Sequence, residues 1–550
     1  MIAILHLSPQ RTRLDQKGNQ MKALVRLAAT ALCAVSFVLA SHEPMVAQQS
    51  KTLRVVMHAG VRLVDPITTT AYIARDHGYM IYDTLFSTDE KLEIKPQMVD
   101  TYEVSSDRLT WTFKLRDGLK FHDGANVTSE DVIASLQRWG KVDGMGQSLL
   151  SFTAEMKAVD ARTFQILLKE PFGFVLEALG KPSSNVPFIT PKRIAMTPHT
   201  QPITEYVGSG PFRFATNEWQ AGVRAVYLKF DDYRPRSEPA NGLAGGKVAR
   251  VDRVEWISIG DAQTTMNALL RGEIDVWEMP PHDLLPILQS NRGVVVKDRN
   301  KLAHISLLRF NWLQPPFDNV KIRQAVLHAI KQEDYLLAQV GDSQYYRECG
   351  AMLGCGTPFD SSKGAIHLGN SANLEAARKL LQEGGYRGEK IVILQPTDVA
   401  IVAPLGPVTA QALRAIGMNV ELQSMDWTTM VLRRANPGPV DQGGWHIFHT
   451  AQAAADLMNP VANNYLRGQG RNGGFFGWTE DAEMERLRAS IARETDPAKQ
   501  KALAQAAHDR AYEMLPYIPL GLYIQPPAYR SNISGFVNAP AMVFWNVEKK

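Results

Sequence analysis

Cysteine is scarce in this chain: three in 550 residues. No run of apolar residues reaches the roughly 20 that a membrane-spanning helix needs. No dense basic block accompanies the formal charge of +4, which removes the electrostatic footprint expected of a nucleic-acid partner. Catalytic signatures are missing too: there is no G-x-S-x-G elbow, no H-E-x-x-H pair and no Walker A loop. What remains is 45% hydrophobic and 21% charged, the balance of a folded globular protein rather than a disordered or coiled-coil one. A length of 550 residues suggests several structural units.

The longest apolar stretch, Leu27–Ala40, follows Lys22 and Arg26 and ends in the small-residue site Val38-Leu39-Ala40. That is the pattern of a secretory signal peptide, with cleavage after Ala40 or Ala47 and Met21 as the natural start, so that residues 1–20 read as an upstream extension. Leu32 stands where a lipoprotein signal needs a small residue, so Cys33 is not read as lipidated. Five bases and one acid in residues 1–40 account for the whole +4, leaving the mature chain formally neutral. Export also leaves two cysteines, Cys349 and Cys355, in CGAMLGC. An even pair in an oxidising compartment predicts a disulfide; half a zinc site is the weaker reading, because C-x5-C lies outside the usual ligand spacing.

Local pattern predicts mixed α/β structure without internal repeats. Strands are expected at 53–59, 111–115, 163–168, 210–214, 225–230, 251–257, 273–276, 390–394 and 419–423. Helices are expected at 71–86, after Thr128 or Ser129, and at 261–271, 320–330, 374–383, 408–416, 481–494 and 497–514. His122 in FHDG has no partner at ligand spacing, and Asp123-Gly124 reads as a turn. Gly208-Ser209-Gly210-Pro211 lacks the Lys and Ser/Thr of a phosphate loop and reads as a turn into a strand. His446 and His449 share a face only if WHIFH is helical, and no further metal ligand stands near them. No cofactor or metal is expected.

The block YDTLFSTDEKLEIKPQMVDTYEVSSDRLTWTFKLRDGLKFHDGANVTSEDVIASLQRWG at Tyr82–Gly140 resembles the solute-binding proteins of peptide-type ABC transporters, which include dipeptide, oligopeptide and nickel binders. VGSGPF at 207–212, GEIDV at 272–276, PPFDNVKIRQAVLHAI at 315–330 and the segment 494–523 follow in that family's order. The resemblance implies a two-lobed, hinge-closing α/β periplasmic binding protein with an inserted subdomain. Mapped here, lobe I is 48–81, 206–306 and 520–550, the insert is 82–205, and lobe II is 307–519. It further implies a monomeric periplasmic protein that captures a small solute between its lobes and hands it to an ABC permease in the membrane. An extracytoplasmic hydrolase, or the ligand-loaded partner of a chemoreceptor, are the alternatives.

Three segments fall where the family binds its ligand, and they nominate His58, Thr70 and Tyr72; Gln395, Thr397 and Asp398; and Asp426, Trp427, Trp445, His446 and Phe448. The dipeptide pattern is broken twice. Trp445 is followed by no carboxylate until Asp456, and 395–404 lacks the arginine that would pair a ligand carboxylate. A plain dipeptide is therefore disfavoured unless Asp398, Asp426 or Asp456 takes the amine, and modified or longer peptides, opines, glycosides and metal chelates stay open.

Overall fold

A computed structural model describes residues 51–361, 368 and 371–550; the signal-peptide and Cys33 expectations lie outside these residues. Two large sheets organise the chain. The first has seven strands in the order 212–214, 224–229, 253–257, 52–56, 276–277, 528–530, 294–296. Its opening strand Thr52–Val56 pairs in parallel with Arg253–Ile257 and Val276–Trp277, so both of its edges are covered and Leu53 and Val55 are fully buried. The second sheet has six strands in the order 346–347, 517–523, 304–310, 447–453, 390–396, 419–425. At its centre His304–Phe310 is buried along its whole length, between antiparallel Tyr517–Tyr523 and Ile447–Ala453.

The boundaries expected at 306/307 and 519/520 would cut two of these central strands. Each lies whole in the six-stranded sheet, because ladder pairing runs through the full strand, so the chain passes between the sheets at 297–303 and 524–527. The helix expected over 71–86 ends at Ile81, and Asp83–Thr84 and Phe86–Thr88 become short strands. Of the GEIDV run only Val276 enters the sheet, in the short strand Val276–Trp277.

Residues 82–205 carry a separate four-stranded antiparallel sheet in the order 99–104, 110–115, 163–168, 153–158. Thr128, not Ser129, caps the helix Ser129–Trp139 through a reciprocal capping box with Asp131. This region also touches the six-stranded side directly. The Gly173 amide donates to the Ala492 carbonyl at 2.7 Å, Arg493 pairs with Glu170 at 2.9 Å, and Phe174 meets Phe359 edge-on at 6.3 Å.

Two blocks that carry the family resemblance pin each other. The Gly208 amide donates to His122 Nδ1 at 3.2 Å, which leaves Nε2 protonated to donate to the Gly210 carbonyl at 3.0 Å. A side chain at Gly208 would lie 1.7 Å from the Ile81 carbonyl oxygen, so close approach of backbone fixes this glycine. Cys349 and Cys355 form the expected disulfide, with Cα atoms 5.9 Å apart.

Candidate functional site

A cavity of about 850 Å³ lies between the two sheets, a volume suited to a small solute. Val56 and Trp277 of the seven-stranded sheet wall one side; His304, Thr450 and Tyr523 of the six-stranded sheet wall the other. Across the gap the Tyr72 hydroxyl donates to Asp456 Oδ2 at 2.5 Å and accepts from the Ala453 amide at 2.7 Å. Tyr72 is the first residue of the helix Tyr72–Ile81, and the Arg75 guanidinium one turn on lies 4.3 Å from its ring centre. The latch thus couples a helix of one body to the end of a strand of the other.

Below it lies a compact charged cluster. His58, just past the opening strand, gives Glu278 both its amide and its Nδ1 proton, at 2.8 and 2.7 Å. Asp76 is fully buried and takes Arg75 on Oδ1 at 2.8 Å. Burial opposes the imidazolium, but the Glu278 charge and hydrogen bond outweigh it and hold His58 above its ordinary value. Burial would raise Glu278, yet His58 keeps it low. Asp76 is pushed up to about 6 by burial, against the pull of Arg75. His58, Asp76 and Glu278 also form the one group among the described residues with donor atoms, all within 4.8 Å of one another, suited to a metal. With Arg75 included the two cations and two carboxylates cancel, and the cluster is balanced without an ion.

Of the eleven residues nominated from sequence, His58, Thr70, Tyr72, Asp398 and Trp427 line the cavity. The other six do not line it. Gln395 is buried and donates to the Pro396 and Ala403 carbonyls, both at 2.8 Å. Thr397 points its hydroxyl at the Met425 carbonyl, and Asp426 caps the helix Trp427–Arg433 through the Thr429 amide. Trp445 and Phe448 are fully buried in a small core with Leu394, Met430 and Trp478. His446 accepts from the Val392 amide at 2.9 Å on Nδ1, so its Nε2 proton goes to the Pro315 carbonyl at 3.0 Å. WHIFH runs into the strand Ile447–Ala453, so His446 and His449 fall on opposite faces; His449 bonds Thr409 at 2.7 Å instead.

Several cavity residues escaped the sequence reading: His304, Arg434, Gln452 and Tyr465. Trp427, Val431 and Arg434 all face the cavity, at helical spacings of four and three, and that stripe was available as a signal once Trp427 was placed there.

A family model described as bacterial extracellular solute-binding proteins, family 5 Middle, matches residues 93–474. A probable peptide ABC transporter periplasmic-binding protein, y4tO, of Sinorhizobium fredii is 39% identical over 526 residues, covering 95% of this chain and 98% of its own. The glutathione-binding protein GsiB of Escherichia coli K12 is 24% identical over 497 residues, covering 88% and 92%. Among solved structures, the agropinic acid complex of AgaA from A. tumefaciens R10 superposes with a TM-score of 0.75 at 23% identity, over 91% of this chain and 99% of that one. DppA of Helicobacter pylori with the peptide STSA gives 0.75 at 22% identity, with the same coverage. These structures share the two-lobed periplasmic-binding fold, each lobe here being one of the two large sheets with its helices. With its middle matched by the family model and its whole length by the S. fredii protein, the chain belongs to the family 5 bacterial extracellular solute-binding proteins.

Proposed function

We propose that this protein is exported through a cleaved signal peptide to the periplasm, where it captures a small peptide-like solute between its lobes and delivers it, enclosed, to an ABC permease. The observation that carries this reading is the cavity itself, bounded by both sheets and spanned by the Tyr72 to Asp456 hydrogen bond. A ligand that touches both walls meets all its contacts only in the closed arrangement. That difference in affinity between open and closed forms drives closure, and the two connections at 297–303 and 524–527 supply the hinge. The family consists of transport binding proteins, and the mechanism needs no bond to be made or broken.

Thermal melts of the mature chain against short peptides, opines, sugars and metal chelates test the proposal. A true ligand at 100 times its dissociation constant adds about 2.7 kcal/mol of stability. Chemical turnover of that ligand, or no shift from any member of the panel, would overturn the capture reading.

A further inference from the structure

The two lobes are not the whole wall of the cavity. Lys181 and Ser184 line it as well, and both belong to the insert, a body that holds none of the eleven residues nominated from sequence. They sit in the segment 181–186, where Ser184 and Asn185 both have left-handed backbone, with φ of 46° and 44°. Two such non-glycine residues in a row persist only where the surroundings over-determine them, and strain of this kind gathers at ligand sites. The surroundings here are explicit. Asn185 is buried, and its Nδ2 reaches the Pro66, Ile67 and Thr69 carbonyls at 3.0, 3.2 and 2.9 Å, while its own carbonyl accepts from the Trp139 indole. Ser183 Oγ accepts from the Arg75 guanidinium at 2.7 Å, and the Pro182 carbonyl accepts from the Tyr79 hydroxyl at 2.8 Å. The segment is thus fastened to the loop that carries Thr69 and Thr70, two more lining residues, and to the helix Tyr72–Ile81 that carries the latch.

From the six-stranded lobe, Ala462 and Asn464 line the same cavity. The insert meets that lobe at these very residues. A side chain at Gly144, the first residue of the helix Gly144–Phe152, would lie 3.0 Å from Asn464 Oδ1, and Arg467 Nη2 donates to Gln147 Oε1 at 3.2 Å. Asp143 caps that helix and also takes Lys181 Nζ at 2.5 Å, so the two insert segments move as one unit. The gap between the two large sheets is therefore shut at this place by the third body, in contact with both.

Resting on the capture reading above, we propose that the insert is a stop in the cleft: Ser184 and Lys181 meet the bound solute and set the greatest length of peptide that the closed cleft takes. A solute that runs past this point has to displace either the segment 181–186, held by Asn185, or the contact of Gly144 and Gln147 with the six-stranded lobe. Ser184 is the residue whose size moves the stop. Its backbone is left-handed, a conformation that asparagine and glycine tolerate better than serine does, so both can replace it without added strain.

Calorimetry of the mature chain with an alanine series from dipeptide to hexapeptide tests the stop. Wild-type affinity is expected to break at one length, the next longer peptide binding about tenfold or more weakly because it overpacks the end of the cleft. Ser184→Asn should weaken the longest well-bound peptide by about tenfold and leave the shorter ones unchanged, whereas Ser184→Gly should narrow the penalty on the next longer one. Without ligand neither variant should melt below wild type. In wild type itself, hydrogen exchange across 181–186 should slow with the longest well-bound peptide and not with the shortest peptide that binds. If affinity breaks at no length, if both variants reproduce the wild-type profile, or if exchange across 181–186 is the same with both peptides, the stop is overturned and solute capture stands. If no peptide of the series binds, capture of a peptide-like solute falls and the stop with it.

Discussion

At the scale of single residues, burial sets which side chains respond to pH. His449 is 1% exposed in the six-stranded sheet, gives one ring nitrogen to Thr409 and has no partner for Nδ1. Loss of hydration pushes it down to about 3, and burial takes His304 to about 4. In the unfolded chain both return to about 6.5. Between those values the unfolded state holds more protons than the folded one, so stability is complete above about pH 6.5 and is lost as pH falls toward 4. His58, raised by Glu278, works in the opposite sense: its contribution is complete below about pH 6.5 and fades as pH rises through its folded value. Each buried neutral histidine adds a slope of about 1.4 kcal/mol per pH unit in the acid window. Urea unfolding of His449→Leu between pH 4.5 and 6 should therefore show a shallower loss than wild type by about that amount. Parallel curves would mean that His449 takes up its proton in the folded state. Thr409 keeps its hydrogen bond to the Tyr335 hydroxyl, so the substitution strands no second polar group.

Among the elements, the disulfide loop shows how far a staple matters where the fold already holds the segment. Gln332 clamps Cys349 by accepting from its amide and donating to its carbonyl, both at 2.8 Å, and the Tyr512 and Tyr517 hydroxyls donate to the Gly350 and Met352 carbonyls. Closing so small a ring removes only about 2 kcal/mol of unfolded-chain entropy. The double substitution Cys349→Ser with Cys355→Ser should lower the melting temperature by a few degrees at most and leave ligand affinity unchanged; a collapse of binding would show that the loop shapes the cavity. The pair was legible in sequence because disulfide logic is a matter of count and compartment. So were the helices Leu374–Glu383 and Pro497–Met514 and the strand Thr163–Leu168, whose periodicity is local. Cleft walls are a different matter. Phe448 has the same strand parity as Thr450 and Gln452, which do line the cavity, yet Trp445 and Arg434 cover it. Which residue of a face stays open depends on what packs over it from distant sequence, and no spacing rule reports that. Asp456 could be weighed as an amine anchor from sequence, whereas its bond to Tyr72, 384 residues away, could not be foreseen.

For the whole molecule, the insert at 82–205 alters what opening of the cleft entails. Both of its ends join the body of the seven-stranded sheet, but Phe172, Phe174 and Val175 share one continuous core with Ile491, Ala492 and the six-stranded sheet. Opening at the connections 297–303 and 524–527 must therefore pull the insert either off the helix Ala482–Arg493 or away from its own body. Gly173 marks the point of closest approach: an added Cβ would lie 1.9 Å from the Glu494 carbonyl oxygen and 2.4 Å from Gln500 Nε2. The exposed Glu170–Arg493 pair beside it contributes little, since such pairs are worth about 0–1 kcal/mol. Gly173 has no left-handed backbone to defend, so Gly173→Val acts through this clash alone and wedges the insert from the far lobe. Closure then becomes more costly, because Phe172 and Phe174 are lifted from the core they share with Ile491 and Ala492. Small-angle scattering of the ligand-free variant should give a larger radius of gyration than wild type, and calorimetry should show a ligand affinity about tenfold or more weaker. An unchanged radius with unchanged affinity would mean that the insert rides with the six-stranded body throughout the cycle and takes no part in the hinge.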